Sequence, residues 1–495
     1  MLDKIFLIFF ILVSKIDCNH PTLYEISTRP WLYELSQKYG KEITKLRDIP
    51  LEEFDYLSNK GIEIIWMMGI WKLGNYGLEY DKKNDYSNVL PDWTKDDVIG
   101  SPYSIVEYTC NPEIGTNDDL IWLREQINKR NMKLMLDFVP NHSAVDAPTA
   151  ITNQKLYIRA PDGTKDSKKY TESGIAYGKD PYFDPWMDVI QWNYWETDTR
   201  VFMKNNLLTV LKYADGARCD MAHLILNDVF GKTWEEELKA WNYQRPTTEF
   251  WEYAFEEVKS KYPNAILLAE VYDDWQIELL YQLGFTYTYD KALLDKLRGS
   301  PKDVKEYIQE KEWSHATHFV ENHDENRIIA NVDGNIEKAK VAGALACTLG
   351  GMAFFNHGQW NGYKNKLDVH LRRGASEPIN TKVLGYYKRL TDIIKDPAFK
   401  SNNYFYIKDI KGDKADDFIA YIRNDESSYY LVVINYGESD GCVEVPIYNI
   451  EGSGEIKLRE MIDEVEYYRN IDIIKEKGFT VCLDGYHAKI FKYNY

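Results

Sequence analysis

The sequence predicts an α/β fold: a (β/α)8 TIM barrel with an inserted B subdomain after strand 3 and a C-terminal antiparallel β-sandwich. Three observations support this prediction. Short apolar runs alternate with helical stretches between about residues 60 and 360. One connection, residues 141–195, is much longer than the others and is rich in Gly, Pro, Asp, Lys and Tyr. After about residue 401, short β-rich runs follow one another between polar turns.

The predicted barrel strands are near-continuous apolar runs. Such runs indicate burial on both faces, as in a parallel sheet that helices cover. Amphipathic stretches such as Asp118–Arg130 and Trp234–Tyr262 predict the covering helices. Eight strand–helix units over about 350 residues favour a closed barrel over an open doubly wound sheet, which normally has fewer strands. The runs are 23–29, 62–70, 132–139, 216–221, 265–272, 285–290, 316–324 and 352–357.

The remaining segments complete the predicted organisation. A connection as long as 141–195 in a compact domain is usually functional or forms a small subdomain. Because it follows the third strand, we expect it at the C-terminal mouth of the barrel. Residues 19–400 then form the barrel domain, and residues 401–495 form a sandwich of about 90 residues.

Composition and the N-terminus restrict the partners and the compartment. The chain of 495 residues has 78 Asp and Glu against 60 Lys and Arg, a formal net charge of −18. We therefore expect no nucleic-acid partner, since phosphate binding needs clustered Lys and Arg. Residues 1–18 predict a signal peptide, because Ile5–Val13 is apolar but too short to span a membrane. The protein is then secreted, either to the outside of the cell or into the lumen of a digestive compartment. An N-terminal anchor or a buried strand is the alternative, and no other stretch predicts a membrane span.

The six cysteines are widely spaced and contain no Cys-x-x-Cys pair, so they do not predict a zinc site. Cys442 and Cys482 both lie in β-like sequence and are candidates for a disulfide. Their pairing stays open at this point.

Polar and acidic residues recur where the predicted strands end, which is where barrel enzymes hold their reactive groups. The segments are DFVPNH at 137–142, GARCD at 216–220, the Glu270 of LLAEVY, and ENHD at 321–324. Strand alternation places Arg218 and Asp220 on the same face. Burying both is costly unless they pair or serve chemistry, so we expect a charged site at the barrel mouth.

These segments, in this order, resemble the four signature segments of the α-amylase superfamily of glycoside hydrolases. Residues 351–359, GMAFFNHGQ, are similar to the superfamily's eighth-strand segment, with Ala353 where Pro is usual and Asn356 where Tyr is usual. The resemblance covers roughly residues 20–400. It implies that 141–195 is the B subdomain and that the sandwich is domain C. It also implies retaining hydrolysis of α-glucosidic bonds in starch-like or glycogen-like glucans or oligosaccharides.

The resemblance implies a role for each polar residue. Asp220 is then the nucleophile, Glu270 the general acid/base and Asp324 the carboxylate that stabilises the transition state. The other positions are His142, Arg218 and His323 around the sugar at the cleavage point, and Asp137 as a structural acid. The nucleophile must be ionised, and we expect Arg218 to lower the pKa of Asp220. The chemistry needs no redox cofactor.

The resemblance leaves calcium open. Family members often have Lys and His three and four residues after the nucleophile, and the backbone of that His helps to hold a structural Ca²⁺. His223 and Leu224 occupy these positions here. Asn141 stands where the family often ligates the ion, so structural Ca²⁺ is possible, and we assign no metal ligands.

Two alternatives also stay open. The chain could be a transglycosylase or a disaccharide-acting α-glucosidase, because barrel loops rather than the fold determine the substrate. It could instead be a non-catalytic amylase-like binding subunit, but such proteins usually lose a catalytic carboxylate and carry a full membrane helix. We expect a carbohydrate partner and leave the oligomeric state undetermined.

Overall fold

The computed structural model describes residues 20–309, 313–448 and 450–494. The predicted signal peptide, residues 1–18, lies outside these ranges. Within them, no helix is both long enough and apolar enough to cross a membrane.

Eight parallel strands form a closed barrel in which each strand pairs with its neighbours in chain order. The predicted (β/α)8 barrel is thereby confirmed, and each strand overlaps one of the eight apolar runs. We number them barrel strands 1 to 8. Their bounds are Thr22–Ser27, Ile64–Met68, Lys133–Phe138, Gly216–Cys219, Ile266–Ala269, Tyr287–Tyr289, Ala316–His318 and Met352–Asn356.

Helices cover the outside of the barrel and return the chain to the start of each next strand. The helix Asn117–Asn128 illustrates how the sequence starts them, because the Thr116 side chain accepts a hydrogen bond from the Asp119 backbone N–H in a capping box. The barrel helices are Thr28–Tyr39, Leu51–Asn59, Asn117–Asn128, Thr197–Tyr213, Asn227–Thr233, Glu235–Ala240, Phe250–Lys261, Asp274–Leu283, Lys291–Leu297, Pro301–Gln309, Ile328–Asn331, Ile336–Thr348, Thr381–Ile394 and Pro397–Lys400. Short 3₁₀ turns are Leu46–Asp48, Lys95–Asp97, Gln154–Leu156, Ala222–Ile225 and Ala415–Asp417.

The barrel has an apolar interior and a larger apolar layer between strands and helices. Trp66, Met135 and Phe319 are among the side chains that fill the interior. Gly216 begins barrel strand 4 because a side chain there would collide with the backbone carbonyl of Ile266 on strand 5. This close approach fixes the relative positions of the residues that follow on both strands.

Two long connections, which we call the first and second excursions, leave the barrel after strands 2 and 3. The sequence predicted the excursion after strand 3 but not the excursion after strand 2. The first contains the hairpin Trp71–Leu73 and Ile105–Cys110 and the helix Asn75–Asp81. The second, which we call the inserted segment, contains the strands His142–Ala144, Tyr177–Gly178 and Trp186–Gln191 and the helix Pro148–Thr152.

The C-terminal region is antiparallel, as predicted, with a six-stranded sheet, a two-stranded ladder and an apolar core of its own. Cys442 and Cys482 face each other across the ladder and form a disulfide. The sequence prediction missed the exposed strand Glu466–Asn470 and the helix Ile471–Lys477. The strands are Tyr404–Tyr406, Phe418–Asn424, Tyr429–Asn435, Gly441–Val445, Glu455–Glu460, Glu466–Asn470, Phe479–Leu483 and His487–Tyr493.

Candidate active site

A fully buried arginine lies at the centre of the barrel mouth. Arg218 Nη1 donates to Asp220 Oδ1 at 2.8 Å, and Arg218 Nη2 lies 2.6 Å from Glu270 Oε2. Arg218 Nη1 also lies 3.4 Å from the Oδ1 atom of a third acid, Asp137. The guanidinium group is planar and rigid, so it holds the carboxylates of Asp220 and Glu270 beside each other.

Strand pairing explains why these two acids meet. Barrel strands 4 and 5 pair in register, with Cys219 opposite Ala269, so Asp220 and Glu270 each follow the last paired residue. Met221 comes next and has φ of 41°, a left-handed conformation that is unusual for a residue with a side chain. Its backbone N–H donates to Glu270 Oε2 at 2.8 Å. The strained turn after Asp220 therefore also positions Glu270.

Aromatic rings shield Arg218 from water. The guanidinium carbon lies 5.0 Å from the ring centre of Trp66, 5.4 Å from that of Tyr103 and 5.7 Å from that of Tyr289. Water-free surroundings strengthen electrostatic interactions, so the contacts between Arg218 and the acids are much stronger here than on the surface.

Asp324 joins this site through His323. Asp324 Oδ2 is 3.0 Å from His323 Nε2, and the Tyr103 hydroxyl lies 2.7 Å from the same nitrogen. On the other side of the ring, Nδ1 is 2.5 Å from Oε1 of the fully buried Glu25. Half of the Asp324 side chain remains exposed, which places it at the rim where a substrate can reach it.

The pKa of Asp220 moves opposite to the sequence expectation. Burial raises the pKa of Asp220 to about 8; Arg218 opposes the shift, and Glu270 and Asp137 add to it. The expectation that Arg218 would keep this pKa low is wrong for the substrate-free site, because one cation faces three buried carboxyl groups. Asp220 therefore holds a proton near neutral pH in the substrate-free site.

His323 and Asp324 form the opposite case. Burial alone would lower the pKa of His323, but the carboxylates of Asp324 and Glu25 raise it to about 10. Desolvation would raise the pKa of Asp324, yet His323 and Arg218 hold it below its ordinary value. At neutral pH the rim thus carries an imidazolium and an ionised carboxylate.

His142 takes a more peripheral place than the other predicted residues. It is buried against the inserted segment, with its ring 5.4 Å from that of Trp186. Burial lowers the pKa of His142 to about 3, so it is neutral at physiological pH. Among the described contacts, none joins His142 directly to Asp220, Glu270 or Asp324.

Three residues of the site were not predicted from the sequence: Glu25, Tyr103 and Tyr272. The Tyr272 hydroxyl donates to Glu270 Oε1 at 2.5 Å, so two hydrogen bonds and the ion pair with Arg218 hold the Glu270 carboxyl group. An acid in the apolar run LYEIS was an available signal for Glu25. Tyr103 had no local signal, because the path of the first excursion alone brings it to His323.

A cavity of about 470 Å³ opens near the site. Three exposed aromatic residues line it: Tyr182 and Phe183, each 72% exposed, and Trp275, 50% exposed. His223 also lines it and packs edge-on against Tyr272, the residue that contacts Glu270. His223 and Tyr272 thus connect the cavity to Glu270, and the cavity offers exposed aromatic surfaces.

Comparison with known proteins gives consistent matches. The family model described as alpha amylase, catalytic domain, matches residues 40–210. Alpha-amylase 3 of Dictyoglomus thermophilum is 24% identical over 65% of this chain and 61% of its own length. Alpha-amylase 2 of the same organism is 22% identical over 85% of this chain and 67% of its own length. This chain thus spans less than two thirds of the first of these relatives.

Solved structures match over nearly the full length. A maltogenic alpha-amylase from Thermotoga neapolitana superimposes with a TM-score of 0.69, at 18% identity, over 96% of this chain and 99% of its own. An alpha-amylase from Lactobacillus plantarum gives a TM-score of 0.68 at 18% identity over 96% of this chain and 99% of its own. At such identities the likeness shows the fold.

Proposed function

We propose that this chain, which belongs to the α-amylase superfamily, is a retaining glycoside hydrolase. Its proposed substrates are starch-like or glycogen-like α-glucans and their oligosaccharides, and the bonds cleaved are α-glucosidic. The roles of Asp220, Glu270 and Asp324 in this reaction are part of the proposal.

The observation that carries the proposal is that the Asp220 and Glu270 carboxylates contact the same guanidinium group, that of Arg218. Retaining glycosidases hold their two carboxyl groups about 5–5.5 Å apart, whereas inverting enzymes leave about 6.5–9.5 Å for a water molecule. Two carboxylates that contact neighbouring nitrogens of one guanidinium favour the closer arrangement. A binding protein would have no need to bury this costly charge cluster.

The first step forms a bond to the enzyme. Asp220 attacks the anomeric carbon and Glu270 gives its proton to the departing glycosidic oxygen, so the C–O bond breaks as the glycosyl ester forms. Arg218 stabilises the ionised form of Asp220 at the moment of attack.

In the second step, Glu270 removes a proton from water while the oxygen of that water displaces Asp220 from the anomeric carbon. The product keeps the configuration of the substrate, and both acids return to their starting state. The negative charge of Asp324, held by His323, lies at the rim where positive charge develops on the sugar ring.

The aromatic cavity favours chains of several sugars over disaccharides. We assign this cavity to the side of the leaving group, because His223 and Tyr272 connect it to Glu270, which protonates the leaving oxygen. Tyr182, Phe183 and Trp275 present exposed rings on which sugar faces can stack. A disaccharide would leave most of this surface unused, whereas an oligosaccharide would cover it.

Product analysis tests this function. The purified chain is incubated with starch, glycogen, pullulan, maltose and sucrose, and the released sugars are identified, with Glu270→Gln as the control. We expect oligosaccharides from the polymers, little cleavage of either disaccharide, and initial release of the α-anomer. Release of the β-anomer, or no cleavage of any α-glucan, would contradict the proposal.

We further propose that the chain is secreted. The Cys442–Cys482 disulfide supports an oxidising compartment, because such bonds rarely persist in a reducing cytosol. N-terminal sequencing of the protein from the medium of an expressing cell tests this, and retention inside the cell with an intact N-terminus would contradict it.

A further inference from the structure

The joint between the barrel and the inserted segment is built around two neighbouring amide side chains. The chain leaves the barrel at Asn141 and returns through the strand Trp186–Gln191, in which Gln191 pairs with His142. The Trp192 backbone N–H donates to the Asn141 carbonyl at 3.2 Å. Asn141 and Gln191 are therefore side by side, and Gln191 is fully buried.

Three oxygen atoms converge on the Gln191 carboxamide nitrogen. Nε2 lies 2.8 Å from the Asn141 carbonyl oxygen, 3.0 Å from Asn141 Oδ1 and 3.2 Å from the Trp192 carbonyl oxygen. Only a donor or a cation is stable among three oxygens, because a fourth oxygen would be repelled by all of them. This fixes the orientation of the amide group.

The residues present do not fit the calcium ion that the superfamily often holds at Asn141. Calcium takes six to eight oxygen ligands and depends on carboxylates for affinity. Here a nitrogen occupies the centre of the oxygen cluster. The described residues contain no group of three His, Cys, Asp or Glu side chains that could hold a metal.

Three side chains near these oxygen atoms, those of Asp180, Asn141 and Lys179, have other contacts. The nearby acid Asp180 uses its Oδ1 to accept hydrogen bonds from the backbone N–H groups of Tyr182 and Phe183. Asn141 turns its Nδ2, a donor, toward the Lys179 carbonyl oxygen at 3.5 Å. The Lys179 ammonium lies 4.4 Å from the ring centre of Trp234 and adds positive charge to the region. The Lys179 ammonium and the Gln191 amide donor oppose a divalent cation at this position.

We propose that the Gln191 carboxamide replaces a divalent cation as the link between the barrel and the inserted segment, so that the stability of this protein does not depend on calcium. The amide donates to the end of barrel strand 3 and to the returning strand at the same time. The link is covalently part of the chain, and chelators cannot remove it.

Thermal unfolding of the full chain tests the proposal without reference to activity. The melting temperature is measured after dialysis against EDTA and again with millimolar CaCl₂, and bound calcium is measured on the dialysed protein. We expect equal melting temperatures and no retained calcium. A melting temperature that falls on chelation and recovers with calcium would overturn the proposal, because a ligand of the folded state must stabilise it.

A Gln191→Glu variant tests the amide itself. Its carboxylate would face three oxygens, so we expect a lower melting temperature in EDTA than for the wild type, with recovery in calcium. Gln244→Glu adds the same charge at an exposed position and serves as the matched control, which should show neither effect. A Gln191→Leu variant should lose stability without any response to calcium.

The Gln191→Glu results distinguish the proposed role of the amide from its alternatives. A Gln191→Glu protein as stable as the wild type in EDTA would show that the amide donates no stabilising bonds. A destabilised variant that ignores calcium would show that the amide does not occupy a cation's position. If Gln191→Glu does not fold, the wild-type measurements with and without chelator still test the proposal.

Discussion

Among the residues that the structure describes, two arginines are fully buried, and they have opposite surroundings. Arg218, at the barrel mouth, contacts the carboxyl groups of Asp137, Asp220 and Glu270. Arg423, between the barrel and the C-terminal sheet, donates to four backbone carbonyls, those of Thr348, Phe399, Ser401 and Asn403, and lies 3.0 Å from His20 Nδ1. The pKa of Arg218 is raised well above its ordinary value, whereas burial lowers that of Arg423 to about 10.

The difference separates a reactive site from a structural joint. Neutral carbonyls satisfy the hydrogen-bonding capacity of Arg423 and leave nothing that can gain or lose a proton in the physiological range. Three carboxyl groups around Arg218 exceed its charge, so the cluster binds an extra proton that chemistry can use. A buried arginine alone therefore indicates little; its partners indicate its role.

The largest expected effect follows from removing the acids at Arg218. Asp220→Asn or Glu270→Gln should lower kcat on a maltooligosaccharide by about 10⁴-fold or more while the fold stays intact. Circular dichroism and the melting temperature check the fold, and Glu42→Gln at an exposed position is the control. Near-native turnover in either variant would show that the residue is not catalytic.

Substituting each arginine by Met should separate the two roles. Arg218→Met should abolish most activity, because the nucleophile loses its counter-ion. Arg423→Met should lower the free energy of unfolding by at least about 3 kcal/mol, since several buried carbonyls lose their donor. Its kcat, measured well below its melting temperature, should equal that of the wild type. A kcat loss in Arg423→Met, or none in Arg218→Met, would contradict the comparison.

The raised pKa of Asp220 predicts a pH-dependent stability. Between its ordinary pKa of 3.8 and the folded value of about 8, the folded chain holds a proton that the unfolded chain has released. Stability of the wild type should therefore fall as pH rises through this window, by at most about 1.4 kcal/mol per pH unit from this group. In the Asp220→Asn variant, an amide that does not titrate in this pH range replaces the carboxyl group. Its melting temperature relative to the wild type should rise from pH 4 to pH 8 and then level off, and a constant difference would refute the assignment.

The smallest expected effect concerns Tyr272. Tyr272→Phe removes one of the two hydrogen-bond donors to the Glu270 carboxyl group, so we expect about a 10-fold lower kcat with little change in KM. Stability should change little, because the ring and its contact with His223 remain. Steady-state kinetics on one oligosaccharide measures both constants, and a change confined to KM would indicate a role in substrate binding only.

The sequence predicted the barrel and most of its mouth because these depend on local patterns. Arg218 lies in a strand whose apolar run is visible in the sequence, and Asp220 and Glu270 come directly after such strands. Tyr103 could not be placed, since a long excursion determines its position. The strand Glu466–Asn470 was missed because it is mostly exposed and lacks alternation. The low pKa expected for Asp220 was wrong because burial raises this pKa more than Arg218 lowers it, and the sequence does not show how deeply the residue is buried.

Trapping the glycosyl-enzyme identifies the side chain that attacks the sugar. Glu270→Gln is incubated with an α-maltosyl fluoride, whose leaving group needs no protonation, so that the ester forms and its hydrolysis is slow. The protein is then digested and the peptides are analysed by mass spectrometry. We predict a maltosyl adduct on Asp220 and none in an Asp220→Asn control. An adduct on another residue, or free sugar released with no adduct at any time, would contradict the account.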